Sequence, residues 1–307
     1  DEPGFPGAAP FTRGRAGWAI RQSFAHPDPA HTNRDILADL TGGVGAIELI
    51  VDPSGERGVA IKKAGDLDAA LAEVILEAAP VSLDASGMEA AILLEAKLKG
   101  VAAPGTAFNL DPIWRQADWA QATRFAARMR AELPNTTTLR ADARPVHEAG
   151  GTEAQEIAAA LGGGIAYLRA LGDAGVSVDD AGEAIAFALS IGPDTLIEAA
   201  KLRALRLCWA RVMEASGAAP EAREARIHAF TSRRMLTRYD SNTNILRITT
   251  AAFGAAVGGA SVITTGAFTD ALGLPTPFAR RVARNTQHVL MEECRLGHVA
   301  DPAGGSW

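Results

Sequence analysis

His147 and Glu148 stand side by side in the stretch RADARPVHEAGGTEAQEIAAAL at 140–161, between a strand-like run and an Ala-rich helical one. An imidazole beside a carboxylate has the chemistry of general acid–base catalysis. Two features argue for a structural role instead. Adjacent side chains usually point in different directions, and a glutamate entering a helix stabilises its positive end. The other histidines do not form a metal set. His26 and His31 flank Pro27, Asp28 and Pro29, where turn geometry is the simpler purpose. His228 lies in a strand-like run, His288 and His298 lie in or after the last helix, and no H-E-x-x-H spacing occurs. Arg233, Arg234 and Arg238 in TSRRMLTRYD have the donors to clamp a phosphate or carboxylate, although exposed or inter-subunit arginines look the same in sequence. The glycines at 162–164 follow a helix rather than a strand. They read as a helix terminus leading into another helix, not as a phosphate cradle.

These residues must be positioned by a regular alternation. Short apolar runs at 46–51, 80–85, 105–110, 137–142, 184–190, 226–231 and 261–266 read as strands, separated by amphipathic helices. In DTLIEAAKLRALRLCWARVMEAS the apolar stripe takes Leu196, Ala199, Ala200, Leu202, Leu205, Trp209 and Val212, leaving Arg203, Arg206 and Glu214 to solvent. Crossovers of this length join parallel strands. The pattern predicts an α/β fold, a (β/α)8 TIM barrel with one weak strand unseen near the start. A doubly wound sheet is the competitor, but no G-x-G-x-x-G follows an early strand. Ser82, Asp84 and Ser86, or Thr264 with Gly266, alternate along strand runs and could line an axis that holds an extended polar ligand. Equally, they are strand ends and loops.

Composition narrows the class. The chain has 307 residues, 48% hydrophobic and 21% charged, as expected for a globular protein with a large core. A net charge of −6 gives no general attraction for nucleic acid. Cys208 and Cys294 are isolated, which suits a reducing cytoplasm rather than a disulfide framework. No apolar run reaches about 18 residues, so no membrane span is expected. Residues 1–14 are acidic and Pro/Gly-rich, lack the features of a signal peptide and read as an extended arm ahead of one barrel domain at 15–307.

FPGAAPFTRG, GWAIRQ, AKLRALRLCWARVM, NTNILR, DALGLPTPFARRVARNTQHVLMEE and the terminal DPAGGSW together resemble the acyl-CoA-binding barrel of the adenosylcobalamin-dependent methylmalonyl-CoA mutases. The match runs from Phe5 to Trp307 and is most specific from about Ala199 onward. The resemblance implies a TIM barrel with the CoA chain along an axis lined by small hydrophilic residues. On that reading Arg21, Gln22, Ser82, Asn109, Arg144, Arg233 and Arg234 are candidate acyl-CoA contacts.

The departures from the catalytic pattern are coordinated. Catalytic members read T-I-R-Q-Y-A-G-F, with a tyrosine beside the substrate; here Ser23 holds that position. The segment that helps grip CoA is cut to Arg15, Ala16 and Gly17. The glutamine of G-T-I-Q-N-D becomes Phe108. In S-G-Y-H-I-R-E-A-G-A the tyrosine and histidine become Arg144 and Pro145, leaving His147 two positions late. N-A-H becomes Ser190, Ile191 and Gly192; the glutamine of H-T-Q-T-A-G-S becomes Phe230, and its Gly-Ser pair becomes Arg233 and Arg234. H-T-N becomes Thr264, Thr265 and Gly266. Radical rearrangement needs fixed donors in a closed dry pocket, and these substitutions remove donors and add bulk.

The pattern resembles the small subunit of the heterodimeric mutases, which keeps the fold, lacks the active site and pairs with a catalytic large subunit. The resemblance therefore implies a silent chain with no catalytic or metal-ligating residue. It also implies a heterodimeric partner interconverting (R)-methylmalonyl-CoA and succinyl-CoA, and adenosylcobalamin carried by that partner or by a C-terminal domain beyond Trp307. The cobalamin signature D-x-H-x-x-G is not in this sequence. An active isomerase of a different acyl-CoA, with Arg144 and Arg233–Arg234 in a remodelled pocket, is the alternative. A barrel hydrolase or aldolase using His147 and Glu148 is a third.

Overall fold

A computed structural model describes residues 13, 17–115 and 117–304. The 1–14 arm, apart from Arg13, and the last three residues of DPAGGSW lie outside the described residues. Eight parallel strands close into a barrel in sequence order. They are β1 (Ala19–Phe24), β2 (Ala46–Val51), β3 (Val81–Ala85), β4 (Ala107–Leu110), β5 (Thr137–Asp142), β6 (Ile185–Ile191), β7 (Arg226–Thr231) and β8 (Val262–Thr264). The TIM-barrel expectation holds, and β1 is the weak strand missing from the pattern. Arg21, Gln22 and Ser23 at its centre hid it, because both faces of this strand carry polar groups.

The helices that sheathe the barrel are α1 (Pro29–Thr41), α2 (Ala64–Ala70), α3 (Glu89–Leu98), α4 (Trp119–Glu132), α5 (Arg144–Glu148), α6 (Glu153–Asp173), α7 (Val178–Ala184), α8 (Thr195–Ala215), α9 (Thr243–Val257) and α10 (Pro277–His288). Several start on side-chain caps. Asp28, Asp118, Thr152 and Thr276 accept from backbone N–H groups one or two residues inside α1, α4, α6 and α10. The turn reading of 26–31 is thereby explained: Asp28 caps α1 and Pro29 begins it. The apolar core lies between strands and helices, where Ile47, Leu49, Leu83, Leu139, Phe187 and Ile227 meet the inner helix faces.

Two readings of the helices are corrected. The glycines at 162–164 do not end a helix; α6 runs straight through them. A Cβ on Gly163 would lie 3.2 Å from Ala141 Cβ, and one on Gly164 would lie 2.8 Å from Phe187 and 3.0 Å from Trp209. These glycines let the helix approach the sheet, and that need overrides their poor helix propensity. Gly164→Ala should therefore destabilise by about 1–3 kcal/mol in denaturant titration. Gly162→Ala, where nothing lies within 4 Å, should be neutral or stabilising. Equal effects at both positions would contradict the close-packing account.

In α8 the buried stripe is Ala199, Leu202, Leu205, Trp209 and Met213, while Leu196 is 80% exposed and Ala200 is also exposed. Arg206, expected at the surface, is buried. Its guanidinium donates to Ala225 O and Gly259 O, both at 2.6 Å. Gly259 follows the end of α9, so the arginine satisfies carbonyls that the adjoining backbone leaves open.

Candidate functional site

Alternation along each strand sends every second residue to the axis. There the barrel carries charge instead of the usual Val, Ile and Leu. From β1, Arg21 Nε donates to Thr264 Oγ1 at 2.8 Å and Nη1 donates to Ser82 Oγ at 3.0 Å. Its Nη2 lies 3.9 Å from Glu48 Oε1 of β2. Ser23 Oγ donates to Glu48 Oε2 at 2.6 Å. From β5, Arg140 approaches Glu48 Oε1 at 3.5 Å, Asp84 Oδ2 at 3.4 Å and Asp142 Oδ2 at 3.3 Å. Arg144, at the start of α5, caps the cluster. Its Nε donates to Asp142 Oδ1 at 2.8 Å and Nη2 to Asp84 Oδ2 at 2.9 Å, and Arg115 Nη2 lies 2.8 Å from Asp84 Oδ1. The Phe230 ring lies 5.0 Å from the Arg21 guanidinium and 4.0 Å from that of Arg144.

Small neighbours make this possible. Strand register sets Ala186 beside Arg140, and Ala188 between Asp142 and His228. The axis is therefore braced by one ion-pair network joining β1, β2, β3 and β5 to the loops above. Its electrostatics are mutually consistent. Burial raises the Asp142 carboxyl, but Arg144 and Arg140 outweigh it and bring it down to about 2. Asp84 is likewise opposed by burial, yet Arg140, Arg144 and Arg115 hold it far below the usual carboxylate range. Burial lowers Arg21 to about 10 despite Glu48. Burial, then Arg21, pushes His228 well below the usual imidazole value, so it stays neutral beside Arg21.

Several expected contacts do not meet. Gln22 points away from the axis and donates to Arg280 O of α10 at 3.0 Å. Phe108 does not fill a pocket either; it packs edge-on against Phe125 of α4, ring centres 5.1 Å apart. A register shift between Ala107 and Leu110, with Asn109 at φ 52°, sets the orientation of this strand. Asn109 Nδ2 donates to Leu83 O at 2.8 Å. Pro145 sits in the first turn of α5, and Gly192 N donates to Glu198 Oε1 at 2.7 Å. Arg234 Nη1 donates to His147 O and Gly151 O, at 2.5 and 3.2 Å, so this arginine braces a loop and presents no open clamp.

His147 and Glu148 belong to a second buried network behind the barrel wall. His147 Nε2 is 2.8 Å from Ser232 Oγ, and its Nδ1 is 3.4 Å from Glu156 Oε2. That order mimics a serine–histidine–carboxylate relay. However, all three side chains are buried, and Glu156 is already engaged by Lys201 Nζ at 2.9 Å and Ser190 N at 2.6 Å. Lys201 also donates to Ser190 O at 2.5 Å and pairs with Glu198 at 2.5 Å. Glu148 accepts from the backbone N–H groups of Arg233 and Arg234, each at 3.0 Å. His147, Ser232 and Glu156 are thus partnered inside a buried network that ties α5, α6 and α8 to the loop after β7.

Asp270, in the loop after β8, behaves differently. Burial raises its carboxyl to about 6, although Ala267 N donates to it at 3.0 Å. A carboxyl whose folded value exceeds its unfolded one loses stability as pH rises, here across about pH 4–6. Asp270→Asn should therefore stabilise the protein at pH 7 by about 1 kcal/mol and flatten that window, as read from unfolding titrations at stepped pH. Destabilisation at pH 7 would contradict it.

A cleft of about 530 Å³ lies at the opposite, N-terminal end of the strands, among Trp18, Ala19, Met291, Glu292 and His298. With this geometry in view, the comparisons decide the lineage. The family model described as methylmalonyl-CoA mutase matches residues 112–307. The chain belongs to the methylmalonyl-CoA mutase family. It is 43% identical, over 99% of its length, to a protein of Streptomyces virginiae named methylmalonyl-CoA mutase small subunit, and covers 52% of that relative. The small subunit of Propionibacterium freudenreichii subsp. shermanii is 38% identical over 99% of the chain, which covers 50% of it. The Escherichia coli K12 methylmalonyl-CoA mutase is 30% identical over 98% of the chain, which covers 48% of it. The chain thus spans about half the length of the curated relatives it matches.

Four of the six histidines are already engaged. His147 and His228 are buried and engaged, and His26 and His31 stack on each other at 3.8 Å. Among the described residues, no helix is long and apolar enough to cross a membrane.

Proposed function

We propose that this barrel belongs to a catalytically silent mutase small subunit, which stabilises a catalytic large subunit in a heterodimer in the cytoplasm. The observation that carries the reading is the ion-pair network on the axis. An acyl-CoA chain running along the barrel would have to displace Arg21, Glu48, Arg140 and Asp84 from their mutual contacts. The substituted positions support the same conclusion from the chemical side. Ser23, Arg144 and Thr264, where catalytic members keep substrate-facing groups, serve as partners within that network. Arg144 is held by two carboxylates and is not available to recognise a new acyl group, which counts against an isomerase with a remodelled pocket. Adenosylcobalamin is assigned to the partner or to a further domain, since the cobalamin signature D-x-H-x-x-G is not in this sequence. Interconversion of (R)-methylmalonyl-CoA and succinyl-CoA is assigned to the large subunit.

The test is the native mass of the complex purified from the natural source, with acyl-CoA binding measured on this barrel. A one-to-one complex with a larger cobalamin-binding chain, and no binding of methylmalonyl-CoA or succinyl-CoA by the barrel, is expected. Tight acyl-CoA binding that Arg144→Ala abolishes would instead establish the remodelled isomerase.

A further inference from the structure

We propose that the centre of the barrel, between Arg21 and Arg140, is a binding site for a small monovalent anion of the size of chloride. Both guanidinium groups approach the same oxygen, Glu48 Oε1, at 3.9 and 3.5 Å, so they are neighbours across the axis. Both side chains are at least nine-tenths buried, at 1% and 0% exposure. Nevertheless Arg21 Nη2 and Arg140 Nε and Nη2 have no hydrogen-bond acceptor. Arg140 Nη2 has carboxylate oxygens only at 3.3 and 3.4 Å without hydrogen-bond geometry. Donors on a buried cation are costly to leave unmatched, and an acceptor that also carries charge answers both needs.

The surrounding charge favours an anion. Arg21, Arg115, Arg140 and Arg144 face three carboxylates, Glu48, Asp84 and Asp142. Asp111 borders the cluster: its Oδ1 accepts from Tyr167 OH at 2.5 Å and from Ile113 N at 3.0 Å, and its Oδ2 accepts from Asp142 N at 3.3 Å. His228 adds no negative charge. Room is provided on β6, where Ala186 and Ala188 project only a methyl group toward the axis beside Arg140 and His228. Phe230 closes the side nearer the mouth, stacked between Arg21 and Arg144. Side chains from β1, β2, β3, β5 and β7 converge on this point, so an anion held there has to be small.

Thermal unfolding of the barrel in sodium chloride and in sodium gluconate of equal ionic strength reads the site, because a ligand bound only by the folded state raises Tm. A Tm higher by about 2–5 °C in chloride is expected, with the difference lost in Arg21→Gln, which keeps a donor but deletes the charge. Equal Tm values in both salts, or a chloride shift that persists in Arg21→Gln, would overturn the proposal. Sodium propionate forms a third arm: a shift with propionate and none with chloride would assign the donors to an acyl carboxylate and overturn the halide. Should Arg21→Gln fail to fold, bromide-soaked crystals of the unaltered protein decide. An anomalous peak between the two guanidinium groups supports the anion, and water density there without anomalous signal refutes it.

Discussion

Arg140→Met should lower the free energy of unfolding by about 3–5 kcal/mol, the usual cost of removing one partner from a buried charge network. Arg140 is 0% exposed and sits within 3.5 Å of Glu48, Asp84 and Asp142 at once. Methionine roughly preserves the volume, so the loss reports uncompensated carboxylates and not a cavity. The pH profile separates these causes. In the unaltered protein Asp142 sits at about 2, below its unfolded value, so its contribution is present above about pH 4 and lost as pH falls toward 2. In the variant that acid-sensitive contribution should shrink or reverse sign. A denaturant midpoint within about 0.5 kcal/mol of the unaltered protein would mean that the network does not brace the barrel.

Lys201→Met carries an effect of similar size, about 3–5 kcal/mol, for a related reason. Lys201 contacts both Glu156 and Glu198 in this knot, and it also donates to Ser190 O. Without it two buried carboxylates are left without their ammonium partner, and that uncompensated charge is the source of the loss. Adding Glu156→Gln and Glu198→Gln to the variant should recover part of the loss. Those amides keep acceptors for Ser190 N and Gly192 N while deleting the charges. No recovery would place the loss in packing.

The barrel was legible because seven strands announced themselves as apolar runs between helices, with ends correct to within two residues at β4 and β8. β1 was not, since Arg21, Gln22 and Ser23 break the apolar run on both faces. The glycines of α6 misled for a different reason: their smallness serves a contact with Phe187 and Trp209, residues far away in sequence. The departures from the catalytic pattern were visible one by one, but the contacts that those positions make were not. Arg21, Glu48, Asp84 and Arg140 come from four strands, and nothing local says that they meet. A usable signal existed. Each is a charged residue inside a strand that helices cover on its outer side, as in AIELIV or TTLRAD, so its charge can only face the axis. Phe108 and Gln22 went astray because a register shift or a face assignment cannot be read from a four- or six-residue strand.

The bracing across the axis also bears on how this barrel can come apart. Glu48 and Asp84 belong to the first four strands, whereas Arg140 and Arg144 follow them. A fragment ending near residue 135 would keep Arg21 and Arg115 beside Glu48 and Asp84 but lose Arg140 and Arg144, and the complementary fragment would keep Asp142 beside Arg140 and Arg144 but lose Glu48 and Asp84. Each half-barrel therefore lacks buried partners that the other supplies. Unfolding should be a single cooperative event for this domain, and co-expressed halves should become soluble only together.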